Sequence, residues 1–341
     1  MLRELSDQEV RLISFFSVRV FFKCRKWVKK DMPDAIVLPI LFGMKNWEMH
    51  HRLLKWFVKK SDFIIGRNPM GAKLALNYSN NVVFDGRSAL KGEIKEYDMA
   101  SNNSLNQSFL AAEEYVVKNA KHRISVSSEL VNFWKRDFGY NQDRHTIIPC
   151  SLAYSHESPL EKRAPNEKVR LLFSGGGSPW QSQDEKFEWI RNLMLKNENL
   201  EFVFLSKSDQ QLLALMEDFP KRVERKWLKP EEVYTELCKA DYGILLRENN
   251  LTNSVSAPVK FAEYLNAGLN VLISDSVIDY AHFVQKHQCG QVISNLAEEI
   301  KLFPISQEIR ERNRKLAEGF FSKNSAHIQA KYREVLSKMK A

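Results

Sequence analysis

The stretch Ala240–Ser274 reads ADYGILLRENNLTNSVSAPVKFAEYLNAGLNVLIS, and its reading decides the fold. Tyr242 to Leu246 is a short apolar run, the pattern of a buried strand. A polar loop follows, then a helix that starts near Pro258, whose fixed φ suits a first turn. Gly268 closes that helix as a C-cap, and Val271 to Ser274 reads as the next strand. Strand, loop, helix and strand in this order make one step of a parallel sheet. Ligands of such sheets sit beyond the carboxyl ends of the strands, where a helix N-terminus offers free N–H groups. Arg247, Lys260 and Glu263 are therefore expected to face one crevice. Two cations there suit a diphosphate, and a carboxylate suits a pair of sugar hydroxyls.

The same alternation extends upstream. Val169 to Phe173 reads as a strand and runs into Ser174-Gly175-Gly176-Gly177-Ser178-Pro179-Trp180. Glycines at a strand end allow backbone amides to approach an anion closely. By itself a glycine triplet is more often a plain tight turn, because it is neither G-x-G-x-x-G nor a Walker loop. Phe187 to Leu195 then reads as helix, Glu201 to Leu205 as strand, Gln210 to Glu217 as helix and Val223 to Trp227 as a short strand. Lys229-Pro230-Glu231-Glu232 opens another helix, with proline and acids in its first turn. This spacing predicts a parallel sheet covered on both faces.

The string Pro258-Val259-Lys260-Phe261, Glu263-Tyr264-Leu265, Gly268-Leu269 and Val271 resembles the donor-site helix of the family-4 retaining glycosyltransferases. The resemblance implies the GT-B fold: two Rossmann-like, doubly wound parallel-sheet domains facing across a cleft. It further implies that Glu263 holds the nucleotide ribose. Arg247, Lys260 and the backbone of Asn253 to Ser256, with Ser254 and Val255 between, would hold the diphosphate and stabilise its departure. On the same basis Gly175, Gly176 and Gly177 form the loop facing the donor phosphates. Family members often carry a second glutamate eight positions before the first; here that position is Val255, which leaves the donor sugar open. The ordinary alternative is an amphipathic helix with Lys260 and Glu263 merely solvated.

In the first half, Val10 to Phe15, Ala35 to Leu38, Asp62 to Gly66, Asn81 to Phe84, Arg123 to Val126 and Thr146 to Pro149 read as strands, and Trp47 to Val58 as an amphipathic helix. The ends of three of these strands resemble those of the family's acceptor domain. That places Arg67, Asp85 and Arg87 on the acceptor side, although each is as well explained by a surface ion pair. The family's opening strand and glycine turn have no counterpart before Met1-Leu2-Arg3-Glu4-Leu5-Ser6, so the first strand of the N-terminal domain is expected to be missing. The expected division is an acceptor-side domain at 1–152, a nucleotide-sugar domain at 153–305 and C-terminal helices at 306–341 that return to brace the first domain.

Composition agrees with a two-domain globular protein: 341 residues, 44% hydrophobic and 27% charged. The four cysteines lack metal-ligand spacing and suit free thiols, and no metal or cofactor beyond the donor is called for. Neither a signal peptide nor a long apolar run is evident, which implies a cytoplasmic protein; a peripheral place at the inner face of the membrane rests on its basic-aromatic segments alone. Residues 1 to 60 hold thirteen Lys and Arg against six Asp and Glu, most of the net charge of +9. Cations there interleave with aromatics, in Phe21–Lys30 and Leu53–Lys60. Such segments suit an anionic membrane surface; the alternative is that Trp27, Trp56 and Phe57 pack in a core while the lysines are solvated. No nucleic-acid module accompanies the charge, so a nucleic-acid partner is not expected.

The resemblance implies an enzyme that moves a sugar from a nucleotide sugar to a glycan or lipid-linked acceptor with retention, in a surface-polysaccharide pathway. Two alternatives stay open at this point: a sugar-nucleotide epimerase with the same nucleotide site, and a non-catalytic, glycosyltransferase-like binding protein.

Overall fold

The computed structural model describes residues 5, 9–60, 62–97, 103–153, 168–175 and 184–340. The chain divides into two compact units. One comprises Met1–Val126, Leu130–Ile148 and Gln329–Ala341; the other comprises Ser127–Glu129 and Pro149–Ile328.

In the first unit the strands fall into two sheets. Among the described residues strands β1 (Ile13–Ser17) and β2 (Ile36–Ile40) pair in parallel only with each other, whereas β3 (Ile64–Arg67), β4 (Val82–Gly86), β5 (His122–Ser125) and β6 (His145–Ile147) form a parallel sheet in that order. β4 is buried along its whole length, as expected of a strand covered on both faces. Trp47, Leu54, Leu74 and Ala112 make a core against which Ile13 and Phe15 of β1 also pack, so the short sheet is joined to the larger one through side chains.

The amphipathic helix expected over Trp47 to Val58 is not formed as one piece. A 3-10 segment spans Met44–His50 with a kink at Asn46, and only His51–Leu54 is α-helical. The ring nitrogens of His50 and His51 lie 2.8 and 2.7 Å from the carbonyls of Trp47 and Glu48. Side chains that engage nearby backbone in this way compete with the regular helical ladder.

The C-terminal helix Ala326–Lys340 starts where the Ser325 hydroxyl accepts from the Ile328 amide at 3.1 Å. Further along it, Lys331 donates to the carbonyl of Ile147 at the end of β6, 2.6 Å away. Its Glu334 accepts from Thr146, whose hydroxyl lies 2.9 Å from buried His122 on β5. Burial and the neighbouring Lys338 push the His122 imidazole down to about 4, so it is neutral at pH 7.

The second unit is a single six-stranded parallel sheet. Its strands are β7 (Val169–Ser174), β8 (Leu200–Leu205), β9 (Val223–Lys226), β10 (Tyr242–Leu245), β11 (Asn270–Ser274) and β12 (Gly290–Ile293), in the spatial order β12-β11-β10-β7-β8-β9. The order reverses between β7 and β10, and such a reversal is where doubly wound sheets bind ligands. Two helices begin where the sequence predicts, at Gln210 and Pro230, whereas the one expected from Phe187 starts earlier, at Asp184. Asp209 caps Gln210–Asp218 by accepting from the Leu212 amide, and Glu232 accepts from the Lys229 amide at the start of Pro230–Leu237. The Val259–Asn266 helix starts one residue later than its proline suggests: Pro258 is the N-cap, in extended conformation. It ends through Gly268, whose φ of +81° places it in the left-handed region while Leu269 donates to the Tyr264 carbonyl at 3.0 Å.

Phe261, Tyr264 and Leu265 from that helix are fully buried against the sheet, each contributing about 1.5–3 kcal/mol by its burial. Gly243 makes the close approach possible, because a Cβ there would lie 2.3 Å from the Tyr264 ring. A buried ion pair between Arg310 and Asp241, 2.9 Å apart, ties the Gln307–Phe321 helix to the start of β10. Asp241 also accepts from the Arg170 amide at 2.8 Å. The four cysteines are free thiols. No helix among the described residues is long and apolar enough to cross a membrane.

Candidate functional site

At the carboxyl ends of β7 and β10 a small pocket is lined by Phe173, Ser174, Leu246, Arg247, Lys260 and Tyr264. The two cations that the sequence assigns to a diphosphate thus meet at one place. Arg247 follows β10, and its backbone is held on both sides: its amide donates to the Ser274 hydroxyl at 2.6 Å, and its carbonyl accepts from Ser276 at 3.0 Å. The end of β11 therefore sets where the guanidinium starts.

Lys260 and Glu263, in the first turns of the Val259–Asn266 helix, form an ion pair at 2.8 Å, with side chains 33% and 31% exposed. The spacing i, i+3 brings such side chains together on one helix face. Sequence reasoning gave them separate tasks, phosphate and ribose; in the structure they neutralise one another. Pairs this exposed contribute about 0.2–1 kcal/mol, a cost small enough for a ligand to separate them. At the same helix start the N–H groups of Val259 and Lys260 make no hydrogen bond among the described residues, so two oriented donors accompany the Lys260 ammonium.

Tyr264 is the floor of the site. Its hydroxyl accepts from the Ser174 amide at 3.0 Å and donates to the Ile244 carbonyl at 3.4 Å, and burial pushes its pKa far up. One side chain therefore links the last residue of β7 to β10 and fixes the spacing of the strand ends that carry the cations.

The expected cradle of loop amides is corrected by the geometry. The segment after β10 folds into a short helical turn, Leu251–Ser254, capped by Asn250, whose side chain accepts from the Asn253 amide. The amide of Ser254 donates to Asn250, that of Val255 to Leu251 and that of Ser256 to Asn253. The hydroxyls of Ser254 and Ser256 also turn inward, to the carbonyls of Leu251 and Asn253, and Val255 is 1% exposed. These residues shape the loop and offer no free N–H to an anion. The amide of Gly175 is likewise committed, donating to the Leu205 carbonyl at 3.2 Å as an extension of the sheet. Gly176 and Gly177 lie outside the described residues.

Lys186, on the Asp184–Lys196 helix, is a cation that the sequence reading missed. It is 1% exposed, and its Nζ lies 3.8 Å from the centroid of the Phe173 ring, a wall of the pocket. Burial lowers its pKa to about 8, with Asp209 opposing the shift and Arg247 adding to it. A buried lysine behind a pocket wall, within electrostatic reach of Arg247, adds to the positive potential at this end of the sheet.

The acceptor-side candidates lie on the first unit. Arg67 ends β3 and is exposed. Asp85, opposite it on β4, forms a two-armed ion pair with Arg87 at 2.8 and 2.9 Å. Asp85 is buried while Arg87 is partly exposed, so the aspartate serves to hold the arginine in place. Glu113 is a buried carboxylate not singled out by sequence. It accepts from the Leu90 amide at 3.1 Å, at the start of the Leu90–Tyr97 helix, and burial raises its pKa to about 7.

No protein-family model and no curated protein matches the chain. Solved structures do match. A glycosyltransferase from Rickettsia africae superposes with a TM-score of 0.62 at 10% identity, over 98% of this chain and 99% of that one. Sucrose-phosphate synthase from Thermosynechococcus elongatus gives 0.60 at 11% identity, over 90% and 84%. The pneumococcal O-GlcNAc transferase GtfA, solved with UDP and GlcNAc, gives 0.53 at 13% identity, over 86% of this chain and 59% of that one. At such identities the likeness establishes the fold, GT-B, with its two Rossmann-like parallel-sheet units.

Proposed function

We propose that this protein is a glycosyltransferase that takes a sugar from a nucleotide-sugar donor and passes it, with retention, to a glycan or lipid-linked acceptor. The observation that carries the reading is the convergence of Arg247, Lys260 and the first-turn amides of the Val259–Asn266 helix on the carboxyl ends of β7 and β10. Lys186 stands behind the Phe173 wall.

Breaking the bond between sugar and diphosphate builds negative charge on the leaving phosphate. Fixed cations and oriented N–H groups aimed at that charge favour the transition state over the ground state, and in many enzymes this supplies most of the rate enhancement. On this reading the donor diphosphate draws Lys260 from Glu263, and the released carboxylate accepts from the ribose hydroxyls. Binding and rearrangement are thereby one event. Arg67, Asp85 and Arg87 are proposed to serve the acceptor. The fold of GtfA, and of TarM, solved with fondaparinux, α-GlcNAc-glycerol and UDP, supports the chemistry class, and the site's own cations support the donor class.

A thermal-shift screen over nucleoside diphosphates and nucleotide sugars tests the proposal. A ligand that binds only the folded chain at a hundred times its Kd adds about 2.7 kcal/mol of stability. Incubation of the stabilising donor with candidate glycans should then release nucleoside diphosphate and form a new glycosidic bond. A shift accompanied by an altered sugar nucleotide and no acceptor dependence would replace the proposal with an epimerase. No shift with any nucleotide would leave a binding protein without a donor.

A further inference from the structure

Of fifteen large hydrophobic side chains that stand exposed among the described residues, nine lie between Leu12 and Trp56. The helix Phe21–Asp31 is the most unusual part of this segment. It packs through one stripe, Phe21, Cys24 and Val28, of which only Val28 is buried. The periodicity of 3.6 then turns Phe22, Lys23, Lys26 and Lys30 outward, with Lys29 and Trp27 on the flanks. Phe22 is 79% exposed and Trp27 65%, so neither ring belongs to a core.

The charge is as one-sided as the exposure. From Arg19 to Lys30 the chain has six cations and no acid. None of Lys23, Arg25, Lys26, Lys29 and Lys30 makes an ion pair among the described residues. A solvated helix face of ordinary type mixes both signs and keeps large rings out of water. Here Phe22 shares the outward face with the cations and Trp27 stands exposed at its flank, the pattern of a helix that lies in a lipid interface with its aromatics at the acyl boundary and its ammonium groups at the phosphates.

We propose that this face is a docking surface for an anionic lipid bilayer. Complementary charge brings the helix to the surface, and Phe22 and Trp27 enter the interface. The inference stands on the first unit alone and is independent of the donor reading.

The full-length protein is sedimented with vesicles of phosphatidylcholine containing phosphatidylglycerol, and with vesicles of phosphatidylcholine only. Binding to the anionic vesicles is expected. It should weaken steeply between 0.1 M and 1 M salt, as the Debye length falls from roughly 10 Å to about 3 Å. Each cation near the surface is worth about fivefold in partitioning, so replacing Lys23, Arg25, Lys26, Lys29 and Lys30 together by Gln should cost at least a hundredfold. Phe22→Ser with Trp27→Ser should reduce binding while leaving the attraction by charge. All of these positions are exposed, so their substitution is expected to leave the fold and the nucleotide affinity in solution unchanged. Absence of vesicle binding by the parent overturns the proposal, as does binding that survives the fivefold replacement. A concentration-dependent dimer abolished by the two serine substitutions, without vesicle binding, would also overturn it and assign the face to a second copy of the chain.

Discussion

Replacing Lys186 by Met separates what this buried cation costs the fold from what it gives the site. The side chain is 1% exposed and its pKa falls from 10.5 to about 8, chiefly through burial. Each pKa unit corresponds to about 1.36 kcal/mol, so holding the ammonium protonated in the folded state costs about 3 kcal/mol at pH 7. The folded pKa lies below the unfolded one, so between pH 8 and 10.5 the unfolded chain binds more protons. Stability contributed at this position therefore rises with pH across that window. Lys186→Met keeps the length and the contact with Phe173 and removes the charge. The variant should be more stable than the parent at pH 7, by up to about 3 kcal/mol, and the gain should vanish as the pH approaches roughly 10.5. Its affinity for a nucleoside diphosphate should fall roughly tenfold, equivalent to about 1.4 kcal/mol. Urea unfolding at pH 7 and pH 10 reads the first effect, and calorimetry the second. Near pH 8.5, buffers of different ionisation enthalpy should also reveal proton uptake on binding in the parent and none at this site in the variant. A methionine variant that is less stable at pH 7 and binds nucleotide as the parent does would refute the reasoning, and Lys186 would be a packing residue only.

Two further predictions concern buried positions. Gly243→Ala places a methyl 2.3 Å from the Tyr264 ring; displacement of the ring should cost about 1–3 kcal/mol and disturb the Ser174–Tyr264 hydrogen bond, seen as lower Tm with weaker nucleotide binding. Glu113 has a folded pKa of about 7, above its ordinary 4.5, so its contribution to stability is lost as pH rises from 4.5 through 7. Glu113→Gln, which keeps an acceptor for the Leu90 amide, should be more stable than the parent at pH 8 and equal to it near pH 4, by urea unfolding at both values.

The second unit was legible because its strands and helices repeat at regular spacing, and because Pro258 and Gly268 bracket the helix that carries Lys260 and Glu263. Their pairing was not read from the sequence, which gave each a ligand of its own, although an i, i+3 spacing permits it. Lys186 was hidden for a different reason. Read in sequence, a lysine among Asp184, Glu185 and Glu188 looks solvated, and only the fold shows that it points at Phe173. The loop amides at Ser254 to Ser256 went astray because Asn250 caps a local turn, and a polar loop does not announce which of its N–H groups are already used. In the first unit, Trp47 to Val58 has helical periodicity, yet two histidines engage the carbonyls that a continuous helix would need. Trp27 and Trp56 show the limit of composition: an aromatic among lysines reads equally as core or surface, and their exposures of 65% and 75% decide for the surface.

In the proposed function Arg247 and Lys260 hold the diphosphate of a nucleotide donor while Glu263 holds its ribose. Titration calorimetry with a nucleoside diphosphate and with the bare nucleoside, on the parent and on Arg247→Ala, Lys260→Ala and Glu263→Ala, tests it most directly. The two cation variants should lose about 1.5–3 kcal/mol for the diphosphate, as for a hydrogen bond to a charged group, and little for the nucleoside. Glu263→Ala should show the reverse order, losing more for the nucleoside, because it also frees Lys260 for phosphate. Equal losses for both ligands in all three variants, or none, would contradict the account.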